Sequence, residues 1–238
     1  MTEYGLYLES GPKRRTTMVH VPQLLGCMAN GPTTEEALDT TPEAIRAFLG
    51  LLKDAGEEVD AEGPFTTAVV EHVTEGIWLG NGSPYVTYAP DLEPVSDAEV
   101  NLLAHRYQRL RERLAAWAET QTDTALDMRP EKGRTARGIL LHVLPGAGAY
   151  LSPITGGSSG YSRLQVQAER GELSLAEAIR RVGSKAADQM RSTTPEQRRA
   201  VIQRPKEIRT LRKALRRTLE HDWEHVRELS RRPGGPAV

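Results

Sequence analysis

Cysteine is nearly missing from this chain: Cys27 stands alone among 238 residues, so no internal disulfide can form. That fits a reducing compartment, and the expected location is cytoplasmic. No run approaches the eighteen or so consecutive apolar residues of a membrane helix, and 1-MTEYGLYLESGPKRR has no apolar signal core, so no membrane partner is expected. Aromatic residues make up only 5% and form no stacking series of the kind single-stranded nucleic acid uses, so nucleic acid is not an expected partner. What is present suffices for a core, with hydrophobic residues at 38%.

The net charge of −1 hides an asymmetry. Residues 1–96 carry 5 Lys+Arg against 15 Asp+Glu, whereas residues 97–238 carry 26 against 17. Such a split suggests two modules of different ancestry, or two halves that attract each other. The arginines of the basic half are interleaved with glutamates, as on solvated helix faces. A nucleic-acid surface there would show strongly salt-dependent binding.

The first third reads as mixed α and β. Tyr4, Leu6 and Leu8 alternate as in a strand, and 16-TTMVHV, 65-FTTAVVEHV and 85-YVTY read as further strands. A turn is expected at 10-SGPKRR and a turn-rich stretch at 22-PQLLGCMANG. Thr33 and Glu36 have capping-box form, and Pro42 predicts a break with Thr41 capping a new start. From Ser96 the period becomes helical. Val100, Leu103, Tyr107, Leu110, Leu114 and Trp117 form one seam. A second helix starts near Thr135 and ends or kinks at Pro145-Gly146, a third starts at Ser174, and the last runs to 233-PGGP. A flexible loop is expected at 155-TGGSSG.

The stretch 218-TLEHDWEHVREL-229 places His221 and His225 four apart on one helix, hence as neighbours. At about 100° per residue both fall on one flank of the apolar stripe, beside Ala214 and Thr218. Two neutral imidazoles so placed can bind one divalent ion, and a third ligand must then come from another helix; His142, on the core-facing side of the second helix, is the candidate. Asp222 falls where it can orient an imidazole, and Glu224 points elsewhere. The same spacing also suits two solvated polar residues, and His142 alone suits a satisfied core histidine. His20, His72 and His105 read as structural or surface residues.

Residues from about 97 to 232 resemble the DinB-like superfamily, also called YfiT-like metal-dependent hydrolases. The resemblance is carried by 139-ILLHV, 168-AERGELSLAEAI, 194-TPEQRRAVIQRP and, most specifically, 210-TLRKALRRTLEHDWEHVREL. It implies an up-down four-helix bundle over 96–232 with zinc, nickel or another divalent ion held by His142, His221 and His225. The departures are Thr135-Ala136-Arg137, where the family often has an aromatic, and Pro145, three residues after His142. Residues 1–92 resemble the HicB-like antitoxin fold through 18-MVHVPQLLGCMANGPTTEEAL. That implies a small α/β domain which, in antitoxins, binds an RNA-cleaving partner.

The expected fold class is therefore α+β, and two functions follow. One is a metal-dependent hydrolase or thiol S-transferase acting on a small-molecule substrate. The other is a non-catalytic partner-binding or regulatory protein that uses the HicB-like third. A homodimer is compatible with either, and Cys27 reads as a small buried filler rather than a nucleophile.

Overall fold

The structure, a computed structural model, describes residues 1–12, 16–157 and 160–238. Residues 13–15, within the expected 10-SGPKRR turn, and 158–159, within the expected 155-TGGSSG loop, lie outside the described residues. The protein is mixed α+β: a small sheet with two covering helices, followed by helices.

Four strands, β1 (Thr2–Ser10), β2 (Thr17–His20), β3 (Met28–Gly31) and β4 (Phe65–Val73), form one sheet in the order β3-β2-β1-β4. β1 pairs antiparallel with β2 and parallel with β4, and the parallel pairing requires the crossover made by α1 (Thr34–Asp39) and α2 (Thr41–Asp54). Ile45, Phe48, Leu49 and Leu52 of α2 are buried, as their spacing predicts. The 85-YVTY run is not a strand. Its Val86 and Tyr88 instead pack with Leu79, Tyr7 and Val73 in a small satellite core, so burial rather than pairing explains their apolar character. Conversely β3 begins within the stretch expected to be turn-rich, where no strand was expected. The break at Pro42 occurs, but Thr40 holds the N-cap position, and the Thr41 hydroxyl donates back to Ala37 O at 2.7 Å.

The remaining chain runs α3 (Asp97–Glu119), α4 (Asp123–Asp127), α5 (Ala136–Val143), α6 (Gly146–Thr155), α7 (Tyr161–Glu169), α8 (Leu175–Arg191), α9 (Pro195–Arg199), a ribbon of β5 (Ile202–Gln203) with β6 (Ile208–Arg209), and α10 (Leu211–Ser230). Serine or threonine caps open most of these helices: the side chains of Ser96, Thr135, Ser174 and Thr210 each accept the backbone N–H three residues on. The short α4, α7 and ribbon have too little periodicity to be read from sequence. By length and composition 136–155 could cross a membrane; here it is two helices, α5 and α6, parted at Leu144-Pro145, with 44% of the apolar window buried.

Helix α10 is central. Fifteen of its 20 residues are buried, including Lys213, Arg216, Arg217, Glu220 and Asp222. The expected solvated faces are therefore wrong for this helix, which packs against α3, α5 and α6 on one side and β3 on the other. The charge asymmetry resolves into ion pairs between the two halves: Arg106–Glu57 at 2.7 Å, Arg113–Asp54 at 3.2 Å, Arg216–Asp91 at 2.7 Å and Arg227–Glu43 at 3.1 Å. Phe48 and Trp223 meet edge-on at 5.2 Å, and one hydrophobic core runs through both halves.

Candidate metal centre

His142, His221 and His225 come together. One ring nitrogen from each lies within 4.8 Å of the other two. The ring centroids are 4.9–5.1 Å apart, and Nε2 of His142 lies 3.3 Å from Nε2 of His221. His225 is buried, whereas His142 and His221 are partly exposed. Pro145 lies just after the end of α5 and leads the chain into α6. The first residue of α6, Gly146, then lies against His221; a Cβ there would stand 2.8 Å from its Cε1. Only glycine leaves that ring its place.

Carboxylates hold the outer nitrogens. His221 Nδ1 lies 3.3 Å from Asp222 Oδ1 and His225 Nδ1 lies 3.0 Å from Glu228 Oε2. An Nδ1–H donated to a carboxylate leaves the Nε2 lone pair free, the tautomer a metal-ligating imidazole needs. Burial raises the Asp222 carboxyl, but Arg111, His221 and Tyr107 together hold it below the usual range. Arg111 Nη2 donates to Asp222 Oδ1 at 3.0 Å. The hydrogen bond from His225 holds Glu228 low. Burial, and then the neighbouring His221 and His225, push His142 down to about 4, so its ring is unprotonated at neutral pH.

The three nitrogens, all within 4.8 Å of one another, could hold an ion. With metal–nitrogen bonds of about 2.0–2.1 Å at tetrahedral angles, two ligand nitrogens stand roughly 3.3 Å apart, which is the His142–His221 separation. Without an ion, the same contact is a single N–H···N hydrogen bond. Three nitrogen donors suit zinc, nickel and other borderline ions and leave at least one coordination position open.

The other sequence candidates lie elsewhere. His105 Nε2 meets Ala55 O at 3.0 Å, and His72 Nε2 meets the Ser10 hydroxyl at 2.7 Å. Glu224 accepts from Asn30, away from the imidazoles. Cys27 is fully buried and burial pushes its thiol far up, so it is inert filler.

Sequence reasoning missed a second polar cluster. Arg216 donates to both Asp91 oxygens at 2.7 and 2.8 Å and to Glu220 at 2.9 Å; His20 Nδ1 meets Glu220 at 2.9 Å, and Arg217 donates to Glu220 at 2.8 Å. Burial raises Glu220, but Arg216, His20 and Arg217 more than offset it and hold the carboxylate ionised. Tyr150, also missed, joins the clusters. Its ring is 5.8 Å from His221, and the Arg217 guanidinium lies over it at 5.5 Å. No signal in the sequence linked Tyr150 to α10.

Comparison of this chain with protein-family models, with curated proteins and with solved structures finds no match.

Proposed function

We propose that the protein holds one divalent ion, zinc or nickel, on His142, His221 and His225, within a DinB-like four-helix arrangement of α3, α5–α6, α8 and α10. On this reading it is a metal-dependent hydrolase or a thiol S-transferase for a small molecule. The observation that carries the reading is the convergence of three imidazole nitrogens, one from each ring, while carboxylates hold the Nδ1 atoms of two of the rings. A bound ion supplies Lewis acidity and lowers the pKa of water or thiol. The chain's own residues supply the rest: Asp222 and Glu228 fix the tautomers, α6 shields one side, and Gly146 admits the His221 ring. The test is elemental analysis of untagged protein. About one ion per chain is expected in the wild type, and almost none in His142→Ala or in the His221→Ala, His225→Ala pair. Unchanged metal content in folded variants sinks the reading.

A second reading, partner binding through the HicB-like third, draws on the surface of residues 65–78. β4 is an edge strand whose Val69 and Val70 are exposed, and Trp78 is 70% exposed in a left-handed backbone conformation (φ 58°). Exposed aromatics and free strand edges are features of contact surfaces. The surface is remote in sequence from the imidazoles, so the His142→Ala variant loses metal under either reading but loses function only under the first.

A further inference from the structure

The three imidazoles are supported unevenly. Carboxylates hold Nδ1 of His221 and of His225. His142 faces His221 through its Nε2, and among the described residues no carboxylate is hydrogen-bonded to its ring. The place of that ring therefore depends on where the backbone of α5 lies, and α5 is only eight residues long. Whatever fixes the end of α5 relative to α10 also fixes the separation of His142 from His221.

One buried side chain reaches both helices. Arg111 of α3 donates through Nη2 to Val143 O at 2.7 Å and to Asp222 Oδ1 at 3.0 Å. The first of these groups belongs to the residue directly after His142, the second to the residue directly after His221. Its Nε faces Asp222 Oδ2 and the Tyr107 hydroxyl, the latter at 2.9 Å. Helix α8 leaves room for it: a Cβ on Gly183 would stand 2.9 Å from the Arg111 Cβ. A second buried arginine on α3 gives the contrast. Arg106 holds both Glu57 oxygens, at 2.8 and 2.7 Å, and Leu25 O at 2.6 Å. Each arginine thus grips one carboxylate and one backbone carbonyl. Only for Arg111 does each gripped group belong to the chain neighbour of a candidate ligand.

We propose that Arg111 is a positioning residue of the metal centre: by holding the end of α5 and the Asp222 carboxylate on one planar guanidinium, it sets the His142–His221 separation before an ion arrives. The inference rests on the metal reading and deepens it. A site ordered in advance binds more tightly, because the cost of ordering is not paid on binding. The planar fork of arginine is what lets one side chain hold two acceptors in fixed directions. A lysine there keeps the charge beside Asp222 but is a flexible point charge without that fork.

The test compares Arg111→Lys with Arg106→Lys in the full-length protein. Zinc affinity is measured against a competing chelator, and the visible absorption of cobalt(II)-loaded protein reports the coordination geometry. Arg111→Lys is expected to bind zinc about 10- to 100-fold more weakly, as loss of an outer support does, and to change the cobalt spectrum. Arg106→Lys, which loosens the same helix, is expected to match wild type in both. If Arg111→Lys fails to fold, Gly183→Ala takes its place: it displaces Arg111 without removing a charge, and a fall in zinc affinity is expected. Wild-type affinity and spectrum in folded Arg111→Lys, or wild-type affinity in Gly183→Ala where that variant stands in, overturn the proposal and leave the metal reading standing. An equal loss in Arg106→Lys also overturns it, because general loosening of α3 then accounts for the effect. If wild type itself binds neither zinc nor cobalt, the metal reading falls and the role of Arg111 falls with it.

Discussion

Helix α10 carries two buried polar clusters on adjoining turns, and they obey opposite rules. In the cluster of Asp91, Arg216, Arg217, Glu220 and His20, the carboxylates sit against guanidinium groups at 2.7–2.9 Å, and the group ties the last helix to the first third of the chain. In the cluster of His142, His221 and His225, like meets like: three rings crowd together, and the carboxylates of Asp222 and Glu228 lie behind them. Burial of polar side chains is common to both, so burial does not mark a ligand site. The useful signal is lone pairs converging where nothing of opposite charge uses them. Tyr150 stands between the two, with its ring 5.8 Å from that of His221 and under the Arg217 guanidinium.

Breaking the closed cluster should give the larger loss of stability. Glu220→Ala leaves Arg216 and Arg217 buried without their shared counter-charge, a change that costs about 3–5 kcal/mol. Urea unfolding measures it. Folded Glu220→Ala protein should keep its metal, because Asp222 and Glu228 are the carboxylates against the imidazoles.

Lys213 sits at the edge of that cluster and gives the next largest effect. Burial, only partly offset by Asp91, pushes its ammonium down to about 8 from 10.5. Between those values the unfolded chain binds a proton that the folded chain does not, so folding stability rises with pH across that window, by up to about 3 kcal/mol. Below about pH 8 both states are protonated and the penalty is present in full. Lys213→Met should lack the rise, which urea midpoints of both proteins at several pH values would show. Parallel curves would mean that the burial does not act on this group.

The open cluster is sharpened by a smaller change. Glu228→Gln keeps an acceptor oxygen near His225 Nδ1 but removes its charge. Metal affinity should fall about 10- to 100-fold, read by titration against a competing chelator, with unfolding nearly unaffected. Smallest of all, His105→Ala loses one exposed hydrogen bond to Ala55 O. It should change stability by no more than about 0.5 kcal/mol and leave metal content alone. A loss of metal there would mean that the three-histidine assignment is incomplete.

Much of the fold was legible in the chain. The seam from Val100 to Trp117, the serine and threonine caps, the breaks at Pro42 and Pro145 and three of the four main strands follow from period and local backbone chemistry. Failures fell where local pattern is mute. Tyr85–Tyr88 has strand composition, but its apolar members fill the satellite core. β3 is four residues long and interrupts a stretch rich in turn formers. The worst misreading was of α10, whose alternation of arginine and glutamate has the composition of a wet face. Its neighbours, Asp91 and His20, come from positions more than a hundred residues away.

For the site, the sequence alone determined the His221–His225 pairing, because spacing of four on a helix makes neighbours whatever the surroundings, and it nominated His142 through the same inward-facing logic. Only the tertiary structure decided that the rings meet, that Asp222 and Glu228 stand behind them, and that Tyr150 links the His221 ring to the Arg217 guanidinium. The reason is physical: helical geometry is set by bonds within a few residues, whereas the distance between α5, α6 and α10 is set by packing, which no short stretch of chain contains.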